Sequence, residues 1–258
     1  FELSNKKTIT LFDMDGTLTE PRQAFDRDLF SVLYKLTEIS DIGIVSGSDH
    51  NYILEQMQFL LQKTSMRYQI HLFPCNGTKH YTPPELSDDD FTLKYQVNMQ
   101  EEIGADSFRE LMMLILKQQV AYSSKLPCLS GHFVDYRGSM INWCPIGRNA
   151  TTEDRQFFVE YDTSFEPSLR ERYIGRLQHY IDLQKILNVE VKLGGDTSFD
   201  IFPTGWDKTY SIKHFPFYNH WFVGDRCGHN GNDKEIYDFL KQQNRAYETH
   251  SPKQTGEI

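Results

Sequence analysis

The sequence predicts an α/β protein with an α+β unit inserted into it. Three observations carry that expectation. First, short apolar runs at residues 9–12, 42–45 and 221–223 end abruptly in small or acidic polar residues, as buried strands of an open sheet do. Second, helical patterns follow these runs, so strand and helix alternate. Third, the rhythm changes between about residues 85 and 203, where helices accompany short segments of period two. Helices packed on one face of an antiparallel four-stranded sheet produce that pattern. The 258 residues suffice for two such units, expected at 1–84 with 204–258 and at 85–203.

Composition narrows the function. The apolar and aromatic contents are those of a folded globular chain. A net charge of −9 argues against a nucleic-acid groove or an anionic membrane as partner. No apolar run approaches membrane length, and no secretory leader pattern is visible, although the chain opens on Phe1 rather than Met. Cys75, Cys128, Cys144 and Cys227 lack CxxC or metal-ligand spacing and read as reduced thiols of a cytoplasmic protein.

The first run ends in Asp13-Met14-Asp15-Gly16-Thr17. In an extended backbone Asp13 and Asp15 share one side, at the carboxyl end of a strand, where open α/β sheets bind ligands. Two carboxylates that close need a proton or a cation between them, and Mg²⁺ suits hard oxygen ligands beside phosphate. A simple Asx turn explains an isolated Asp-x-Asp. The added Gly-Thr makes the pattern rarer, about one chance occurrence in several hundred chains of this length.

Glu20-Pro21-Arg22 forms a turn, and Phe25, Leu29, Val32, Leu33 and Leu36 mark a helix. The second run ends in Ser46-Gly47-Ser48-Asp49, before a helix over 50–63. A serine after a strand can be a simple helix cap, and Ser48 is the better placed of the two for it. A third strand over 68–73 leads to Asn76-Gly77, a type I′ hairpin signal. Pro83-Pro84 and the acidic 88–90 read as a linker out of the core.

The inserted unit starts with a helix capped by Asp106. A hairpin follows, 132–136 with 140–143 around Arg137-Gly138-Ser139. Helices over 151–160 and 167–187 and strands over 189–193 and 198–202 complete it. Pro203-Thr204-Gly205 returns to the core, and Trp206-Asp207-Lys208 opens a short helix. The third run ends at Gly224-Asp225. A Gly/Asn-rich loop containing Asn232 and Asp233 leads into a last helix, and the tail from Ser251 reads as weakly ordered.

The Asp13–Thr17 stretch resembles the first motif of the haloacid dehalogenase-like phosphotransferases. That resemblance implies a Rossmann-like core with an inserted cap. It also implies that Asp13 attacks phosphorus and Asp15 moves the proton. Glu20-Pro21-Arg22, Tyr136-Arg137-Gly138, Pro145-Ile146-Gly147-Arg148, residues 198–203 and Gly205-Trp206-Asp207-Lys208 are similar, in the same order, to motifs of the eukaryotic phosphomannomutases. The resemblance runs from about Thr8 to Asp238. It implies interconversion of mannose 6-phosphate and mannose 1-phosphate, feeding GDP-mannose synthesis and glycosylation, with Mg²⁺ and a hexose 1,6-bisphosphate activator.

By the same resemblance Lys208 neutralises the nucleophile, and Ser46 or Ser48 hydrogen-bonds the transferred phosphoryl group. Arg22, Arg137, Arg148, Arg155, Ser198 and Asp200 meet the hexose phosphate. Asp13, the Asp15 carbonyl, Asp225, Asn232 and Asp233 serve the metal, and the cap forms a homodimer. Forked arginines suit a second phosphate that must be held without reacting. Ser46 stands where the mutases usually carry glycine and is more like the capped sugar-phosphate phosphatases. A phosphatase, with water as acceptor, is therefore the second reading, and a catalytically silent sugar-phosphate-binding or interaction protein the third.

Overall fold

The computed structural model describes residues 7–87, 89–186 and 188–258. In chain order β1 (Thr8–Asp13) is followed by α1 (Phe30–Leu36), β2 (Asp41–Val45), α2 (His50–Gln56), α3 (Gln58–Lys63), β3 (Ile70–Phe73), β4 (Lys79–Thr82) and β5 (Thr92–Gln96). Next come α4 (Met99–Ile103), α5 (Ala105–Ser123), β6 (Val134–Tyr136), β7 (Ile141–Trp143), α6 (Thr152–Thr163), α7 (Leu169–Leu183), β8 (Val189–Gly194) and β9 (Ser198–Pro203). A 3₁₀ helix, Lys208–His214, leads to β10 (Asn219–Gly224), α8 (Lys234–Lys241), β11 (Ala246–Glu248) and α9 (Pro252–Thr255). Two compact units result, one from residues 7–96 with Gly205–Ile258 and one from Val97–Thr204.

The first unit carries a seven-stranded sheet in the order β11-β10-β1-β2-β3-β4-β5. The pairs from β11 through β3 are parallel, and β4 and β5 are antiparallel additions. The central strands are apolar on both faces because both are covered. Ile9 and Leu11 of β1 pack with Phe222, Ile236 and Leu240. Phe12 packs on the other side with Leu33, Ile44 and Ile53. Gly43 is required where β1, β2 and β3 crowd: a Cβ there would lie 2.5 Å from Leu11 Cδ2 and 2.8 Å from Phe73. The chain leaves β1 toward β2 on one side and returns through β10 on the other. The strand order therefore reverses at β1, which places a ligand crevice at the end of β1 that bears Asp13.

The second unit has a four-stranded antiparallel sheet, β6-β7-β9-β8, as the alternating segments led one to expect. Its helices are fixed by their caps. Thr151 and Asp154 form a capping box at α6, and Ser168 and Glu171 form one at α7.

Several expectations change. The core extends past residue 84, because β5 pairs with β4 from Lys79↔Gln96 to Thr82↔Thr92. The boundary therefore falls after Gln96 and, on return, after Thr204. Leu93 and Tyr95 alternate with polar neighbours as in a strand, yet every residue of β5 is exposed. Asp88 lies outside the described residues. The hairpin around Asn76-Gly77 is wider than a two-residue turn, since Cys75, Asn76 and Gly77 all have positive φ. Asp49 caps α2, not Ser48. Asp106 sits in the first turn of α5, whose N-cap is Gly104, while Asn98 caps the additional α4. The helix expected over 167–187 ends at Leu183, and Leu187 lies outside the described residues. The tail beyond Ser251 is ordered: α9 buries Thr255, whose hydroxyl donates to the Thr17 carbonyl at 2.8 Å.

Candidate active site

At the end of β1, residues 14–19 form a tight loop in which the amides of Leu18 and Thr19 both donate to the Met14 carbonyl. Gly16 has φ +86°, and a Cβ on it would lie 2.3 Å from Asp225 Oδ2. Glycine is thus what lets this loop lie against the carboxylate that follows β10. Gly224 has the same function on the other side, where a Cβ would meet Asp233 Oδ2 at 2.6 Å.

Lys208 starts the 3₁₀ helix and is 0% exposed. Its ammonium donates to Asp13 Oδ1 and, at 2.5 Å, to Asp233 Oδ1. A solvated surface lysine is thereby ruled out. Burial alone would lower its pKa, but the Asp13 and Asp233 carboxylates outweigh burial and the net shift is upward. Asp233, also 0% exposed, accepts the Asp225 and Arg226 amides on its second oxygen at 3.1 and 3.0 Å. It fastens the Gly/Asn-rich loop beneath the site and fixes Lys208 in front of Asp13.

Carboxylate oxygens of Asp13, Asp225 and Asp233 lie within 4.8 Å of one another. Burial and then the neighbouring Asp233 raise the Asp13 pKa well above the usual carboxylate range, and Lys208 only partly opposes this. The same two causes push Asp225 up to about 6. The buried Asp225 Oδ1 and Asn232 Oδ1 accept no hydrogen bond. Unpartnered buried oxygens beside crowded carboxylates are the donor set a hard divalent cation satisfies.

Asp15 Oδ1 accepts the Arg22 amide at 3.0 Å and the Tyr52 hydroxyl at 3.1 Å. Burial raises the Asp15 pKa, against the lowering effect of those two bonds. Arg22 has φ 62°, which turns its amide toward Asp15 and leaves its side chain exposed. Ser46 follows β2, and Asp13 lies opposite Val45 in the register, so Ser46 is one residue beyond the nucleophile's level. Its buried Oγ accepts the Ser48 amide at 3.0 Å, which leaves the hydroxyl proton available.

The second unit places Arg137 and Arg148 in the segments before and after β7, Arg155 on α6, and Ser198 and Asp200 on β9. Arg137 Nε donates to Asp135 Oδ2 at 2.9 Å, and Arg148 Nε lies 3.7 Å from the same oxygen. Arg148 Nη1 donates to Asn142 Oδ1 at 2.8 Å, and Asn142 Nδ2 donates to Asp200 Oδ1 at 2.8 Å. Arg155 is tied to Thr197 Oγ1 and the Arg148 carbonyl, each at 2.8 Å. Ser198 opens β9 and is buried, whereas Asp196 is exposed in the preceding turn.

Four participants were missed from the sequence: Asp135, Asn142, Thr197 and Tyr52. Asp135 and Asn142 are polar residues within short hairpin strands, the signal that could have found them. Tyr52 gave no signal, being one more aromatic on a helix face.

The chain matches the family model described as eukaryotic phosphomannomutase over residues 29–258. It is 34% identical over 235 residues to phosphomannomutase 2 of Dictyostelium discoideum, covering 90% of this chain and 87% of the relative. It is 34% identical over 259 residues to phosphomannomutase of Saccharomyces cerevisiae, covering 98% and 92%. Among solved structures, an IMP-bound, N-terminally truncated Plasmodium falciparum IMP-nucleotidase superposes with a TM-score of 0.65 at 16% identity, covering 99% of this chain and 68% of the other. That structural likeness bears on the fold.

Proposed function

The chain belongs to the eukaryotic phosphomannomutase family, and on that premise we propose that it interconverts mannose 6-phosphate and mannose 1-phosphate through a phosphorylated Asp13 and a hexose 1,6-bisphosphate. The observation that carries the chemistry is the fully buried Lys208 ammonium clamped between Asp13 and Asp233 at the strand-order reversal. A carboxylate oxygen of Asp13 attacks the phosphorus of one phosphate of the bisphosphate. The bond from that phosphorus to the sugar oxygen breaks, and the Asp15 carboxyl delivers a proton to the departing oxygen. In the reverse sense Asp15 takes the proton of the accepting hydroxyl as that oxygen attacks the aspartyl phosphate. Lys208 and the Ser46 or Ser48 hydroxyl stabilise charge on the transferring oxygens.

Asp13, Asp225 and Asn232 would hold Mg²⁺, with the Asp15 carbonyl, and the bound ion would offset charge on the phosphoryl group. Asp233, with both oxygens already engaged, acts by holding Lys208 and the loop.

A mutase needs a second phosphate site that binds without reacting. Arg137, Arg148 and Arg155, held by Asp135, Asn142 and Thr197, supply forked donors for it. Arg22, Ser198 and Asp200 complete the proposed contacts, with Asp200 reading sugar hydroxyls.

All four cysteines are free, which supports a reducing, cytoplasmic compartment. Among the described residues no helix is long and apolar enough to cross a membrane. The exposed Met113, Leu116 and Val120 of α5 support a homodimer through the second unit, testable by sedimentation.

The deciding assay supplies mannose 1-phosphate with a trace of hexose 1,6-bisphosphate and identifies products. Mannose 6-phosphate formation that disappears in Asp13→Asn supports the proposal. Phosphate release without isomer formation refutes it in favour of a phosphatase.

A further inference from the structure

Asn142 touches two of the proposed substrate residues at once and has no other evident task. It lies at the middle of β7, directly opposite Asp200 of β9 in the antiparallel register. It is 4% exposed, in a strand whose neighbours Ile141 and Trp143 are fully buried. A buried amide costs stability unless its donors and acceptor are used. Here the amide orientation follows from its partners. The carboxylate of Asp200 can only accept from Nδ2, and the guanidinium of Arg148 can only donate to Oδ1.

The rest of the surroundings turns this bridge into a rigid series. Arg148 faces Asp135 on its other side, and Asp135 also holds Arg137. Asp200 is backed by Gly194, where a Cβ would come within 2.6 Å of Asp200 Oδ1, so the carboxylate fills the space that a side chain would occupy. Asp200 therefore has little freedom to swing toward β8, and Arg148 is held at both ends of its guanidinium. Asn142 bonds the cation and the anion of the site at once, and so bears directly on the distance between them.

We propose that Asn142 is a positioning and specificity-determining residue. By bonding Arg148 and Asp200 simultaneously it fixes the spacing between the group that holds the unreacting phosphate and the group that reads the sugar hydroxyls. This inference rests on the roles proposed for Arg148 and Asp200. Its chemistry is that of a ruler. A hexose phosphate presents a dianion and a hydroxyl at a fixed separation set by its ring, and a spacing preset in the protein favours the sugars that match it. A simple anion with no hydroxyl makes no use of that spacing.

Two variants separate positioning from general damage. Asn142→Leu keeps the approximate volume and removes both bonds. Asn142→Asp keeps the acceptor for Arg148 but sets a carboxylate against Asp200. Each is compared with wild type in three measurements: calorimetric binding of mannose 1-phosphate and glucose 1-phosphate, mutase KM and kcat for both sugars, and hydrolysis of acetyl phosphate, which carries neither a second phosphate nor a sugar hydroxyl.

Loss of charge-assisted bonds on both sides should weaken mannose 1-phosphate binding and raise its KM about tenfold or more. The mannose-to-glucose preference, whatever its wild-type value, should move toward unity. Acetyl phosphate hydrolysis should stay within about twofold of wild type, because no step of it uses the spacing. Asn142→Asp should be impaired through the sugar as Asn142→Leu is, and it provides the test if the leucine variant fails to fold. Unchanged sugar-phosphate binding in either folded variant overturns the inference. So does an equal loss with acetyl phosphate, which marks a general structural role. Wild type that binds hexose phosphates but releases phosphate without isomerising them refutes the mutase reading while leaving the binding test of Asn142 intact.

Discussion

Three histidines lie together behind the hairpin that follows β3, and they make the stability of the first unit sensitive to acid. His71 Nδ1 and His80 Nε2 are 3.0 Å apart, so one ring donates to the other. The His214 ring is 4.8 Å from His80, and its Nε2 donates to the Gly77 carbonyl at 2.7 Å. Phe73 stacks on His80 and Phe215 closes the edge. His80 is 6% exposed. Burial, reinforced by the neighbouring His214, lowers His71 to about 4, and burial with His214, His71 and Lys94 lowers His80 to about 3. His214 is lowered as well, by burial with Lys213 adding to it, against the raising effect of the Gly77 bond.

A folded-state pKa below the unfolded value means that the unfolded chain binds the extra protons first. The stability these rings allow is complete above about pH 6.5 and is lost as pH falls toward 4 and then 3. At pH 5 each of His71 and His80 is still neutral in the fold but charged in the unfolded chain. The difference is about 1.5 pH units, or roughly 2 kcal/mol per ring and 3–4 kcal/mol for the pair. For a chain of this size that is on the order of 10 °C in Tm. Urea unfolding at pH 7.5 and 5.0, followed by hydrogen exchange of β2 and β3 amides, measures it. His71→Phe retains an aromatic ring but removes one titration, so it should lose about half as much stability between those two pH values. An acid-induced loss of the same size in wild type and His71→Phe would refute the reasoning.

Three further outcomes are expected. Lys208→Met should cut mutase turnover by roughly 10²–10³-fold or more, because it removes the charge that faces Asp13, and initial rates with mannose 1-phosphate read this directly. Asp162→Ala should destabilise the second unit by about 3–5 kcal/mol in denaturant unfolding, since it strands the buried guanidinium of Arg170. Arg170 Nε and its amide bond Asp162 at 2.8 and 2.7 Å, and its Nη1 holds the carbonyls of Gly195 and Ser198, so KM should also rise. Thr255→Val removes the hydroxyl that holds the Thr17 carbonyl and should cost about 1 kcal/mol, with a fall in kcat that exceeds any change in KM.

The sequence made the catalytic strand ends legible for a physical reason. Strands buried on both faces must be apolar throughout, so the polar residues that end them stand out, and Asp13, Ser46 and Asp225 were found in this way. Elements outside the doubly covered middle of the sheet gave no such signal. All of β5 is exposed, and α9 is four residues long. Burial of a charge is equally hidden in one dimension. Lys208 reads as any lysine near a helix start until Asp13 and Asp233, 195 and 25 residues away, are brought around it. Arg155 was legible as a motif position, but its bonds to Thr197 and the Arg148 carbonyl were not, because the partners come from a different strand turn and loop.

The charge balance of the two units explains how a protein of net charge −9 can take a dianionic substrate. In the first unit three carboxylates, Asp13, Asp225 and Asp233, face the ammonium of Lys208, and their crowding is what raises Asp13 and Asp225. That crowding would repel a phosphate, and a divalent cation held there would offset the excess, so on the proposed reading turnover should depend on added Mg²⁺. In the second unit the guanidiniums of Arg137 and Arg148 face the carboxylate of Asp135, and that of Arg155 bonds the neutral Thr197 hydroxyl. On the roles proposed for them, these arginines bring positive charge to a phosphate without a metal. On the proposed reading one phosphate site reacts and takes a metal, and the other binds through arginines without reacting. A hydrolase would need only the first of these, and it is the second that makes a sugar hydroxyl, rather than water, the expected acceptor.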